Sequence, residues 1–108
     1  QVAAGRWHTC AVLAAGGVRC AGRNDEGQLG LGALGMDRCT VYPDQFACTR
    51  RFSEVTIPAA AEVTAGNYHA CARLADGTVR CWGAGYYGQV GDGMTTNRLS
   101  PVAANNLP

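Results

Sequence analysis

Six cysteines and two histidines are the residues of this 108-residue chain best equipped for chemistry. They recur in one spacing: His8-x-Cys10 with Cys20 ten residues on, and His69-x-Cys71 with Cys81 ten residues on. Thiolate and imidazole together could hold a zinc ion. The spacing matches no familiar zinc pattern, and an even count of cysteines at this density favours disulfides. We therefore expect no metal and no cofactor. His8 and His69 read as structural residues, since buried imidazoles usually hold backbone groups. The other reactive residue types form no catalytic constellation. Asp25, Glu26 and Asp76 lie in turn-like sequence, where acids commonly serve local hydrogen bonds. Ser53 and Ser100 have no nucleophile motif around them. The glycine-rich stretch 27–32 lacks the lysine and the following helix of a phosphate loop. The sequence reads as a non-enzyme.

Something must position these residues, and it is a repeat. Residues 1–32 align without a gap on residues 62–93 at a constant offset of 61, with 17 of 32 positions identical. Unrelated segments of ordinary composition would share about two or three. Each copy reads as short strands joined by turns: 1–4, 8–13 and 18–21 in the first, and 62–65, 69–74 and 79–82 in the second. Residues Gly-Gln-Leu/Val-Gly then open a turn-dominated return segment. The Asp76-Gly77 step is a strong hairpin signal. A three-residue turn with Gly77 in the left-handed region pairs Leu74 with Thr78, and sets Cys71 opposite Cys81. The same register sets Cys10 opposite Cys20. A two-residue turn would break both pairings by one residue, so the expected bridges depend on the turn type.

The first copy spends about 14 residues more than the second before its unit ends, by arithmetic on the two tails. That surplus holds Cys39 and Cys48. Its simplest account is a surface loop, near 33–54, closed by a local disulfide. The domain reading is thus a first repeat over 1–61 carrying that insertion, and a second repeat over 62–108.

The motifs resemble the regulator-of-chromosome-condensation repeat. The first copy carries Val2, Gly5, His8, Gly22, Asn24, Gly27, Gln28, Leu29 and Gly30 of its pattern. The second carries Val63, Gly66, His69, Asp76, Gly77, Trp82, Gly83, Gly88, Gln89 and Gly91. Ala21, Ala15-Gly16 and Gly85 depart from that pattern, which marks the first unit as the less well packed. The resemblance implies an all-β fold of four-stranded β-propeller blades. Two tandem blades cannot close a ring, and a six- to eight-bladed ring or a propeller-like assembly is the expected context. The reading expects a longer chain, a homo-oligomer, or an open filament of copies. The His-x-Cys and Cys-Trp-Gly motifs also resemble those of secreted bacterial members.

Composition narrows the function classes. Net charge is +1, from nine arginines, no lysine and eight acids. No basic surplus exists to neutralise a phosphate backbone, so nucleic acid is not expected as a partner. No stretch approaches the roughly 20 apolar residues of a membrane span. Cysteine density points to an extracellular or cell-surface setting. The nucleotide-exchange role of the family's nuclear founder fits a disulfide-rich chain poorly.

Binding, if it resides anywhere, resides in the slots that vary while the frame stays fixed. Arg6-Trp7 and Asn67-Tyr68 fill one slot; Asp25-Glu26 and Tyr86-Tyr87 fill another. Trp, Tyr and Arg are the types enriched at interface hot spots. The expectation is a module that binds a protein partner or ligand through these loops. The alternative is a structural subunit whose copies stack blade to blade.

Overall fold

A computed structural model of the chain describes residues 1–35, 37–41 and 43–104. The last four residues of the second repeat as read above, 105–108, therefore lie outside the described residues. The first sheet contains β1 (Val2–Ala4), β2 (His8–Val12), β3 (Val18–Arg23), β4 (Arg38–Val41) and β5 (Asp44–Val55), in the spatial order β1-β2-β3-β5-β4. The second contains β6 (Ala60–Ala65), β7 (His69–Leu74), β8 (Val79–Gly83) and β9 (Arg98–Ala103), in the order β6-β7-β8-β9. All pairings are antiparallel. Each sheet is a blade, and no helix occurs among the described residues.

The turn chemistry sets the register of both blades. Leu74 N–H donates to the Thr78 carbonyl at 2.8 Å and Gly77 N–H to the Leu74 carbonyl at 2.9 Å. Leu13, Gly16 and Gly17 repeat this pattern in the first blade. Gly16 and Gly77 sit at φ 93° and 90°, where a Cβ would be strained. Asp76 completes the second turn by accepting from the Thr78 amide and hydroxyl, and these bonds hold its carboxyl below the usual range. With three residues in each turn, Cys10 faces Cys20 and Cys71 faces Cys81. Both pairs are bridged, with Cα separations of 4.1 and 4.0 Å.

The insertion departs from the sequence reading. It is not an irregular surface loop: β4 pairs with the first half of β5 as a hairpin, closed by Cys39–Cys48. The second half of β5 is the fourth strand of the blade itself, pairing with β3 from Cys48 to Val55. Only the inner edge of β5, from Cys48 onward, is paired with the blade; β4 is the edge strand of the sheet. Because β3 ends at Arg23, opposite Cys48, the start of β5 projects roughly 13 Å past it, at about 3.3 Å per residue.

The core lies between the blades. Val18, Val55 and the Cys10–Cys20 bridge of the first sheet face Val63, Ala70, Ala72, Leu74 and Trp82 of the second. Strand alternation then places Cys71–Cys81 on the far face of the second blade. The return segment of the first blade closes the seam. Trp82 is fully buried beneath it, and its indole N–H donates to the Gln28 carbonyl at 2.9 Å. A Cβ on Gly30 would stand 2.9 Å from the indole ring, so only glycine allows this approach. Gln1 adds a clasp: its amide donates to the Val63 carbonyl at 2.7 Å and accepts from the Val63 amide at 2.8 Å.

Candidate protein-interaction rim

The loops that join β1 to β2 and follow β3 meet the projecting hairpin along one rim. Each strand ends there for a local reason. Gly5 and Gly66 end the first strands of the two blades, because a histidine ring lies on each. A Cβ would stand 2.3 Å from His8 Cε1 and 2.2 Å from His69 Cε1. His8 is buried, but it does not hold backbone groups as the sequence suggested. Neither ring nitrogen has a hydrogen-bond partner among the described residues. Its pKa is lowered, first by burial and then by the neighbouring charge of His69; the nearby His69 backbone offsets this in part, without reaching hydrogen-bond geometry. The ring serves as packing between Gly5 and the second blade. His69 is half-buried and also lowered by burial. All six cysteines are oxidised, so no thiolate is available to a metal.

Arg6 and Trp7 follow Gly5. The Arg6 guanidinium lies 5.1 Å from the Trp7 ring centroid, and Trp7 itself is about half exposed. Across from them Arg23 stacks 4.4 Å from the Phe46 ring centroid. Asp25 fixes Arg23 through an ion pair of 2.7 Å and raises its pKa further. Trp7, Arg23, Val41, Asp44 and Phe46 line a cavity of about 230 Å³, mostly apolar, walled on one side by the hairpin.

A second cluster spans the blades. Glu26 accepts from Asn97 Nδ2 at 2.7 Å and from the Tyr86 hydroxyl, and Asn97 also reaches Tyr86 at 3.3 Å. The carboxylate raises the Tyr86 pKa because it bonds the protonated phenol. Gln28 folds back onto Glu26 N–H and Asp25, and Gln89 onto Tyr87 N–H, so the Gly-Gln slots hold themselves closed.

The structure thus brings Asp25 to Arg23, and Glu26 to Tyr86. Asn67 and Tyr87 are exposed and join neither cluster. Sequence reasoning missed Arg23, Val41, Asp44, Phe46 and Asn97. One signal was present: Arg23 stands where the second copy has Ala84.

The regulator of chromosome condensation (RCC1) repeat matches residues 1–28 and 60–89. The chain is 38% identical over 101 residues to the ultraviolet-B receptor UVR8 of Arabidopsis thaliana, covering 94% of this chain and 21% of that protein. It is 38% identical over 101 residues to the probable E3 ubiquitin-protein ligase HERC3 of Homo sapiens, covering 94% of this chain and 9% of that one. Among solved structures, yeast RCC1 (Prp20) bound to Kap60 superposes with a TM-score of 0.83 at 20% identity, over 98% of this chain and 24% of that one. A second Prp20p structure, from Saccharomyces cerevisiae and described with its binding to Gsp1p and histones, gives 0.83 at 21%, over 98% and 25%. Human WBSCR16 gives 0.75 at 27%, over 95% and 25%. The chain spans a quarter or less of each of these proteins.

Proposed function

This chain belongs to the regulator of chromosome condensation repeat family, and we propose that its two blades are a non-enzymatic protein-interaction module working through the loop rim of the first blade. The observation that carries this reading is the hairpin. A disulfide-closed wall stands beside a half-exposed Trp7 and makes an apolar cavity where the second blade, with the same frame, has no hairpin. A rigid scaffold with an aromatic and an arginine presented at its loops is the usual make-up of an interface hot spot. Relatives point the same way: the yeast protein was crystallised with Kap60 and described with its binding to Gsp1p and histones. Three disulfides in so short a chain support an oxidising, extracellular or cell-surface setting.

The test is a photo-crosslinking amino acid at position 46 of the full-length protein, followed by reconstitution with the purified crosslinked partner. Trp7→Ala is expected to weaken that complex by about 2 kcal/mol or more, the size of a hot-spot loss, with an unchanged melting curve. A partner that binds the Trp7→Ala protein as tightly as the parent would contradict the reading.

One observation favours a second reading, in which copies stack blade to blade. Val2 and Leu13 are 68% and 45% exposed, while Val63 and Leu74, their counterparts in the second blade, are buried at 0% and 2% against the first, so a further blade, of the same protein or of a copy, would bury the apolar face of the first. Sedimentation velocity of the purified protein separates the two: growth in size with concentration supports stacking, and a single species across concentrations removes it.

A further inference from the structure

The apolar cavity beside Trp7 has a charge pattern of its own, and the first blade supplies every wall of it. Val41, Asp44 and Phe46 come from the inserted hairpin, which the second blade lacks, and Arg23 stands at the end of β3. The second blade packs on the first through Val63, Ala70, Ala72, Leu74 and Trp82, which correspond to Val2, Thr9, Ala11, Leu13 and Ala21. None of these five lines the cavity. The cavity therefore belongs to the insertion, whatever stands against the face of the blade.

The one cation in its lining is already used. Arg23 donates from Nε to Asp25 Oδ2 at 2.9 Å, and its Nη2 lies 2.7 Å from the same oxygen. Its guanidinium also stacks on the Phe46 ring, so Arg23 is both neutralised and fixed. Arg6 lies on Trp7 but does not line this cavity. Asp44 differs. It is exposed and in no ion pair among the described residues. Strand alternation puts it on the same hairpin face as Phe46, two residues on, and Val41 is its cross-strand neighbour. The lining thus carries one unbalanced charge, a carboxylate at the mouth of an apolar cleft.

That combination selects among occupants. A purely apolar side chain would fill the cleft, but it would strip water from the Asp44 carboxylate and return no hydrogen bond. An acidic side chain would meet like charge. A lysine or arginine satisfies both parts. Its aliphatic stem lies along Trp7, Val41 and Phe46, and its charged head reaches the carboxylate.

We propose, on the interaction reading above, that this cavity is the pocket for a basic side chain of a protein partner, with Asp44 as the residue that sets the specificity. The second blade has no counterpart of Asp44, so the recognition belongs to the first alone.

The experiment selects displayed random peptides on the full-length protein and measures the winners as synthetic peptides by calorimetry. The winners are expected to share a lysine or arginine, and replacing it with norleucine, which keeps the stem and drops the charge, should weaken them. Asp44→Asn should weaken the same peptides by at least about tenfold, the lower end of losses at close charge pairs. Asp37→Asn removes an exposed acid of the same insertion outside the cavity and should leave them unchanged. A fresh selection on Asp44→Lys should enrich Asp or Glu in place of the basic residue. Asp44 is exposed, so folding is preserved in both variants and a melting curve checks it. Winners without a basic residue, or basic winners that bind both Asp44 variants as tightly as the parent, overturn this inference while leaving the interaction module standing. Failure to enrich any peptide counts against the module itself, and the pocket falls with it.

Discussion

The two blades share a frame and differ in what that frame is used for. In the second, the face equivalent to Thr9, Ala11 and Ala21 is Ala70, Ala72 and Trp82, and it is sealed against the first blade. In the first, the same face is partly open, its tryptophan is replaced by Ala21, and a hairpin rises beside it. The bridges differ likewise: Cys10–Cys20 lies in the core between blades, while Cys71–Cys81 lies on the opposite side of its sheet. A duplication has kept its turns and its register, and has diverged at the positions that choose a neighbour. In the second blade they pack against the first; in the first they differ in kind, Trp82 giving way to Ala21 and Leu99 to Arg50.

The largest expected effect tests that division at its centre. Trp82→Ala should destabilise by about 3–5 kcal/mol in urea unfolding, as for other buried aromatic truncations. Ala21→Trp, the reciprocal change, should move stability by less than about 1 kcal/mol, because it fills an open cavity and not a packed core. Equal losses from the two would erase the comparison. The disulfides come next. Their sequence separations are 10, 9 and 10, so chain entropy gives each about 2–3 kcal/mol. Replacing Cys10 and Cys20 with alanine should cost more than replacing Cys71 and Cys81, because only the former pair also loses packing in the shared core. Equal midpoints for the two double variants would contradict the placement of the core.

A smaller difference is expected between glycines. Gly30→Ala and Gly91→Ala both place a side chain at positive φ, 67° and 76°. Only the first meets the Trp82 indole; the second finds Ala104 at an ordinary 3.5 Å. Gly30→Ala should therefore cost about 1–3 kcal/mol more, the range for overpacking. Matching melting temperatures would count against the Gly30–Trp82 contact. The smallest effect is a pH dependence. His8 has a native pKa lowered from 6.5 by burial. The unfolded chain takes up the proton first, so stability is full above about pH 6.5 and is lost as the pH falls from there through the native value. His8→Gln should flatten that slope more than His69→Gln, since His69 is only half-buried. Parallel slopes in all three proteins would remove the buried-imidazole argument.

Much of the frame was legible because it depends on neighbours in sequence. Asp76-Gly77 and the cysteine spacing act across a dozen residues or fewer, and the repeat offset of 61 carried the same register to the first blade; together they foretold the hairpins and which cysteines face each other. The insertion was misread as a loop because its length was counted and its alternation was not: Arg38 to Val41 pairs residue for residue with Ala47 to Asp44. The rim was illegible for a different reason. Arg23 meets Phe46, and Glu26 meets Tyr86 and Asn97, across separations that only the folded register creates. His8 was expected to bond backbone; its role became clear only when Gly5 and the second blade were seen against the ring.

The most direct test of the account is hydrogen exchange of the full-length protein with and without the partner captured by crosslinking at position 46. Protection should appear at residues 5–9 and 21–23 and along β5 of the first blade, and be absent from the equivalent residues 66–70 and 82–84 of the second. Equal protection of both blades, or protection confined to the second, would contradict the claim that the first blade alone is shaped for a partner.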